Sequence, residues 1–178
     1  LSGAKTITHA DGGTLYRVTD NKQLAIEILM SDSKNIYMGG ASGTAIPFEP
    51  IPLYHPDGSP NKQMVVANAV LTGNTINIAD TESARGFDFS GTRHFDKKMG
   101  YRSVSLLTVP MVNHQNDIIA VLQLINKVEP FTQKICFFNE EDEQFARSLA
   151  SQAAVTLTNK KLLDEQKDLF EAFIRLIA

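Results

Sequence analysis

The sequence contains a single cysteine, Cys136, among 178 residues, so an internal disulfide framework is impossible. A free thiol is typical of a reducing compartment, and we predict a cytoplasmic protein. Basic residues are adjacent only at Lys97-Lys98 and Lys160-Lys161, and the net charge is −3. This distribution argues against a nucleic-acid partner. No apolar run reaches membrane-spanning length and the N-terminal residues lack a signal-peptide pattern, so no membrane partner is predicted.

Motifs for catalysis and metal binding are also missing. The four histidines have no metal-ligand spacing, and the segment MGGASG at 38–43 lacks the lysine of a phosphate-binding loop. No Ser-His-Asp set can be discerned, and a single cysteine does not support redox catalysis by a thiol pair. We therefore expect no catalytic residue, no metal and no certain cofactor in this chain. The histidines are His9, His55, His94 and His114.

The periodicity of apolar residues predicts an α+β sandwich in one domain. Asp11-Gly12-Gly13 should stop a short N-terminal helix, and the second strand of the first hairpin should place Leu24, Ile26, Ile28 and Met30 on one side. Turn formers without periodicity in 31–62 indicate a long loop. The apolar segment 118–126 should be a central strand. The predicted strands are 14–20, 23–30, 75–79, 103–112 and 118–126, and the predicted helices are 64–71, 92–99 and 140–178.

The last helix has an N-cap at Asn139 and an expected core stripe at Phe145, Leu149, Ala153 and Leu157. Such a helix is longer than a domain of this size is wide, so its second half should leave the body. Two apolar series repeat there every seven residues, with Phe173 between them, and such a seam favours a partner helix and a homodimer. The alternative is that the seam packs back on its own domain. The two series are Leu162, Leu169 and Leu176, and Leu163, Phe170 and Ile177.

Four segments resemble the GAF domain, a small-molecule-sensing module of signalling proteins. They are DGGTLYRVTD, LTGNTINIAD, MGYRSVSLLTVP and VLQLINK, and the similarity extends over nearly the whole chain. The resemblance implies a central antiparallel sheet of about six strands flanked by helices, with a long C-terminal helix. It also implies a sensor domain at 1–158 and a connector helix at 159–178.

A fifth segment resembles the cyclic-nucleotide type of GAF domain, which occurs in phosphodiesterases and cyclases. That type carries Asn-Lys, then Phe, then Asp-Glu, matched here by Asn126, Lys127, Phe138, Asp142 and Glu143. The resemblance implies that Lys127 and Asp142 form an ion pair joining the end of a strand to the start of the last helix. The alternative interpretation is that they are unrelated surface charges.

The same resemblance implies a set of ligand-binding positions for a cyclic nucleotide, cyclic AMP or cyclic GMP. Val65 and Val66 lie at a helix start whose free N–H groups suit a phosphate. Met99 stands where the family has a hydroxyl residue, and Gln123 replaces a glutamate of some binders. Each position also has an alternative role in the core or on a solvated surface. The full set is Thr14, Val65, Val66, Thr92, Asp96, Met99, Ser103 and Gln123.

The C-terminal stretch LLDEQKDLFEAFIRLIA is similar to the connector between a GAF domain and a bacterial HD-type metal-dependent phosphohydrolase domain. Because the first residue is Leu1 and not Met, we expect a fragment of a longer protein, and the resemblance implies that this protein is bacterial. Two functions remain open: a ligand sensor, and a ligand-free dimerisation module. In the second case Met30, Met99 and Phe95 should fill the pocket.

Overall fold

A computed structural model describes residues 1–177 and confirms the predicted fold class. Six antiparallel strands form the main sheet, in the order β3-β2-β1-β7-β6-β5, while the short β4 pairs with β2 and β8 with β7. The strands are β1 Ala10–Val18, β2 Gln23–Ser31, β3 Ile36–Gly39, β4 Ile51–Pro52, β5 Ile76–Ile78, β6 Leu106–Val112, β7 Ile118–Val128 and β8 Ile135–Cys136. The helices are α1 Ser2–Thr8, α2 Val65–Thr72, α3 Ser90–Met99 and α4 Glu140–Ile177.

The sheet separates two layers of core. One face packs against α1 and α4 through residues such as Leu107, Leu122 and Leu124. The other face packs against α2 and the loops around α3, through residues such as Val121 and Leu106. β7 lies between β1 and β6, and its middle residues 120–124 are buried, which confirms its predicted central position. Within residues 1–177, no helix combines the length and apolar character required to cross a bilayer.

The start of β1 differs from the prediction. His9, in the left-handed region at φ 55°, ends α1, and the strand begins at Ala10. Gly12 and Gly13 therefore lie inside the strand and do not stop the helix. A Cβ on Gly12 would come within 3.1 Å of the Tyr101 hydroxyl, so this glycine allows the phenol to approach the strand closely.

The predicted side-chain alternation of β2 is wrong because the strand contains a bulge. Leu15 pairs with Ile28, but Tyr16 pairs with Ile26, so Glu27 is an extra residue. A bulge reverses the faces of all residues beyond it. Leu24 and Leu29 are consequently the buried leucines of this strand. The loop predicted at 31–62 is also too long, because it contains β3 and β4, which both pair with β2.

The long helix α4 begins at Glu140 as predicted. The Asn139 side chain accepts a hydrogen bond from the Asp142 N–H at 2.9 Å, and Asp142 accepts one from the Asn139 N–H at 2.8 Å. This reciprocal cap satisfies two donors at the helix start. The 38-residue helix is about 57 Å long at the usual rise per residue.

The stripe predicted to bury the first half of α4 is displaced by one residue. Phe145 is 52% exposed, whereas Ala146, Ala150 and Ala154 are buried against the sheet. Small side chains allow the helix backbone to approach the sheet closely, which leaves the larger stripe on the flank. Every described residue from 159 to 177 is exposed, so the second half of α4 does not pack back on its own domain.

Candidate functional site

A cavity of about 240 Å³ lies between the sheet and the segments that cover it. By comparison, an engineered apolar cavity of about 150 Å³ accepts benzene. The strands β1, β2, β6 and β7 form the floor, and α2, α3 and the loop before β4 form the roof. The lining residues are Thr14, Tyr16, Ile26, Leu29, Phe48, Glu49, Ile51, Met64, Val65, Val66, Asp88, Gly91, Thr92, Phe95, Ser103, Leu106, Gln123 and Ile125.

Six of the eight predicted ligand positions lie together in this lining: Thr14, Val65, Val66, Thr92, Ser103 and Gln123. Asp96 and Met99 do not line the cavity. Their role in binding, like that of the other six, stays a prediction. Of the side chains expected to fill a ligand-free core, only Phe95 lines the cavity, and Met30 and Met99 do not.

Asp96 holds two covering segments together. Its carboxylate accepts hydrogen bonds from the Ser103 N–H and from the Ser103 hydroxyl, both at 2.8 Å. Asp96 lies near the C-terminal end of α3, and Ser103 precedes β6. The carboxylate predicted to contact a ligand therefore positions the wall of the cavity in this structure.

The floor of the cavity carries a row of polar side chains across three strands. The Tyr16 hydroxyl donates to Gln123 Oε1 at 3.3 Å, and Gln123 Nε2 donates to the Thr108 hydroxyl at 3.1 Å. Burial raises the pKa of Tyr16 to about 12, so the phenol is neutral at physiological pH. Thr14, the cross-strand neighbour of Gln123, is only 3% exposed and also lines the cavity.

The start of α2 forms part of the roof. Met64 occupies the N-cap and provides no side-chain hydrogen bond. The first turn of a helix has N–H groups without intrahelical partners, and these groups attract anions. Val65 and Val66 belong to that turn and line the cavity. The predicted role of their backbone in phosphate binding fits this position.

The charged residues among the lining residues are both acidic, Glu49 and Asp88, and the lining within residues 1–177 includes no Lys, Arg or His. Hydrogen bonds from the backbone and hydroxyl of Ser90 hold the pKa of Asp88 below its usual value, so its carboxylate is ionised at neutral pH. The cavity thus has uncharged donors at its floor and roof and negative charge beside them. This arrangement disfavours ligands with a large negative charge.

One aromatic residue of the roof, Phe48, was missed from the sequence, whereas Phe95 was expected there only as a filler of a ligand-free pocket. The Phe48 and Phe95 rings are 5.2 Å apart between centroids, and Lys98 Nζ lies 4.8 Å from the Phe48 centroid. Phe48 stands between two prolines in a segment without periodicity, so no pattern assigned it to a face. An aromatic residue in a long ordered loop is itself a signal for such a role.

Asn126 fixes the segment that leads into β6. It is 2% exposed and has a left-handed backbone with φ 56°. Its side chain accepts hydrogen bonds from the Val104 N–H at 2.7 Å and the Ser105 N–H at 3.3 Å, and donates to the Arg102 carbonyl at 2.7 Å. These bonds replace strand pairing, so β6 begins at Leu106 and not at the predicted residue 103. They also place Ser103 in the cavity wall.

The ion pair predicted between Lys127 and Asp142 is present. Both side chains are largely buried, and the Asp142 carboxylate also accepts the bond from the Asn139 N–H. Phe138 is buried in the core between the sheet and α4, and its carbonyl accepts a hydrogen bond from Asn77 at 2.9 Å. Glu143 faces outward at 3.8 Å from Arg147. The motif therefore joins β7, β6 and α4 outside the cavity.

The profile described as "GAF domain" matches residues 2–157. The chain belongs to the GAF domain family. Solved GAF domains share its fold: that of an Acinetobacter phosphoenolpyruvate-protein phosphotransferase superposes with a TM-score of 0.62 at 13% identity, covering 93% of this chain and 81% of the other. The PixJ GAF domain of Thermosynechococcus elongatus gives 0.61 at 14% identity, with coverage of 97% and 88%.

Curated relatives of this GAF domain include phosphodiesterases. The "cGMP-specific 3',5'-cyclic phosphodiesterase" of Drosophila erecta is 26% identical over 168 residues, or 89% of this chain. The "Dual 3',5'-cyclic-AMP and -GMP phosphodiesterase 11A" of Takifugu rubripes is 32% identical over 90 residues, or 51% of this chain. The chain spans only 13% of the first relative and 9% of the second.

Proposed function

We propose that this GAF domain, over residues 1–158, is a regulatory sensor that binds a cyclic nucleotide in the cavity. The cavity itself is the observation that carries the proposal, because it brings together six predicted ligand positions with a helix start that has no side-chain cap. The names of the curated relatives, which act on cyclic AMP or cyclic GMP, support this ligand class.

The charge of the lining favours a cyclic phosphate over a 5'-monophosphate. A cyclic phosphodiester carries one negative charge, whereas a phosphate monoester carries nearly two at neutral pH. Backbone N–H groups of α2 would hold the phosphate, while Glu49 and Asp88 oppose the additional charge of a monoester. Thr14 and Gln123 would offer neutral hydrogen bonds to the rest of the ligand.

Output is proposed to pass through α4. The helix packs on the side of the sheet opposite to the cavity, and its second half, the connector 159–178, would pair with the same helix of a second copy. The resemblance of the connector to those of bacterial HD-type phosphohydrolases supports an output domain of that class. Ligand must bind the two output states unequally for regulation to occur.

Thermal denaturation of the purified chain with added nucleotides tests ligand binding. Cyclic AMP or cyclic GMP at 100 times its dissociation constant should raise the free energy of unfolding by about 2.7 kcal/mol. Matched 5'-AMP and 5'-GMP should give a much smaller shift at the same concentration. Equal shifts with the cyclic and 5' forms would contradict the charge selection.

Two glycine substitutions test whether the ligand binds in the cavity. Gly91 is the second residue of α3 and lines the cavity, where an added Cβ would meet only the flexible end of Met64 at 3.3 Å. Gly91→Leu should therefore obstruct the cavity and abolish the nucleotide shift. Gly3→Leu is the control, since Gly3 is the second residue of α1 and an added Cβ meets nothing within 4 Å. An unchanged nucleotide shift in Gly91→Leu would move the ligand elsewhere.

The second candidate function is a ligand-free dimerisation module. The exposed apolar residues of the connector, among them Leu169 at 73% and Leu176 at 88% exposure, favour it. A dimer in solution that no nucleotide stabilises at millimolar concentration would select this function over sensing.

A further inference from the structure

The second half of α4 carries an apolar seam interrupted by two amides. With Leu163 at heptad position a, three a positions and three d positions fall on one side of the helix. All six residues are exposed. We call them the α4 seam: Asn159, Leu163, Gln166, Phe170, Phe173 and Ile177.

Charged residues of this half lie outside the seam. Lys161 pairs with Glu165, and Arg175 with Glu171, each at 3.8 Å and four residues apart. These pairs occupy positions b, c and f, on the outer side of the helix. The polar groups of the seam between 159 and 177 are therefore the two amide side chains alone.

The geometry points to a parallel, in-register pairing of α4 with a second copy, in which Asn159 faces Asn159 and Gln166 faces Gln166. This inference rests on the dimerisation proposed above. An amide both donates and accepts, so two identical amides can satisfy each other, whereas an amide buried against an apolar side chain loses its hydrogen bonds. Polar core residues fix the register of coiled coils for this reason.

Symmetry limits the antiparallel alternatives. In a two-fold antiparallel pair only one level can face its own copy, so Asn159 and Gln166 cannot both do so. One antiparallel register does satisfy both amides by placing Asn159 opposite Gln166. That register sets Phe173 opposite Gln152 and Ile177 opposite Ser148, which are exposed polar residues.

The parallel register has no such mismatch. It places each apolar residue of the seam opposite its own copy, and it brings Leu169, at position g, beside Ile174, at position e, of the second copy. Both side chains are exposed in the single chain, at 73% and 47%. The parallel pair thus buries apolar side chains of the seam against each other, whereas the antiparallel pair places Phe173 and Ile177 against polar residues.

Single-cysteine cross-linking tests the orientation. In a Cys136→Ser background, Asn159→Cys and Gln166→Cys are made as separate variants and oxidised in a glutathione buffer. A disulfide requires Cα atoms closer than about 7 Å, so the parallel register predicts disulfide dimers from both variants. Asp168→Cys, at outer position f, is the control and should yield no more cross-linking than the Cys136→Ser parent.

A mixture of the two cysteine variants distinguishes the parallel register from the antiparallel register that places Asn159 opposite Gln166. In the parallel pair, disulfides form only between two chains of the same variant. The mixed disulfide, between position 159 of one chain and position 166 of the other, should be rarer than random pairing would give. Predominance of the heterodisulfide, or failure of either homodisulfide in a chain that light scattering shows to be dimeric, would overturn the inference while leaving dimerisation intact. A monomeric mass would overturn both.

Discussion

Replacement of Asn126 by alanine should reveal how much of the domain depends on one amide. Two hydrogen bonds of 2.7 Å, to the Val104 N–H and the Arg102 carbonyl, would be lost inside the protein, at about 1 kcal/mol each. Alanine at φ 56° adds about 1 kcal/mol of backbone strain. The free energy of unfolding should therefore fall by about 3 kcal/mol, summed from these values.

Two further variants separate the contribution of the amide hydrogen bonds from that of the backbone strain. Asn126→Gly removes the amide but tolerates the left-handed backbone, so its loss should be smaller than that of Asn126→Ala. Asn116→Ala is the matched control, since Asn116 has φ 66° in a hairpin and its side chain makes no hydrogen bond within residues 1–177. It should lose only the strain, about 1 kcal/mol.

Urea denaturation with linear extrapolation measures all three losses. Because Asn126 also places Ser103 in the cavity wall, Asn126→Ala should weaken the nucleotide shift, and Asn116→Ala should not. Equal destabilisation by the two alanine variants would refute the reasoning, since the amide would then contribute nothing beyond its backbone conformation.

Three other predictions follow from contacts described above. Lys127→Ala leaves the buried Asp142 carboxylate unpaired and should cost about 3 kcal/mol of unfolding free energy; unchanged melting and binding would make the ion pair irrelevant. Burial raises the pKa of Asp11, but hydrogen bonds from Tyr101, Ser33 and Ser31 outweigh it and lower that pKa. The resulting stability is present above about pH 3.9 and is lost as the pH falls towards the lower folded pKa. Tyr101→Phe should reduce this acid-dependent loss in urea titrations, and an identical pH dependence in both proteins would contradict it. Truncation after Leu157 should convert a dimer to a monomer by light scattering, and an unchanged mass would place the contact elsewhere.

The sequence predicted correctly those elements for which local pattern and tertiary environment agree. β7 is apolar on both faces because both are covered, and α4 begins where an asparagine cap precedes four acidic residues. Gly73 and Gly100 end α2 and α3 in the left-handed region, as their positions after apolar or basic turns indicated. In each case local sequence and tertiary environment favour the same conformation.

Errors arose where a contact with a distant segment decides the local structure. Glu27 forms a bulge that no local pattern announces. Ala146, Ala150 and Ala154 are buried because α4 approaches the sheet closely. Phe145 and Leu157 have larger apolar side chains but remain exposed. The positions of Asp96 and Ser103 depend on one another across a loop, so their mutual hydrogen bonds could not be inferred from either alone.

Neighbouring residues of β6 and β7 belong to opposite compartments. Leu106 borders the cavity and Leu107 seats α4, while Gln123 lies on the cavity floor between Leu122 and Leu124 on the helix side. Adjacent residues of one strand thus line the cavity and pack against α4. In the proposed sensor, a ligand that shifts either strand would therefore move the surface against which α4 packs.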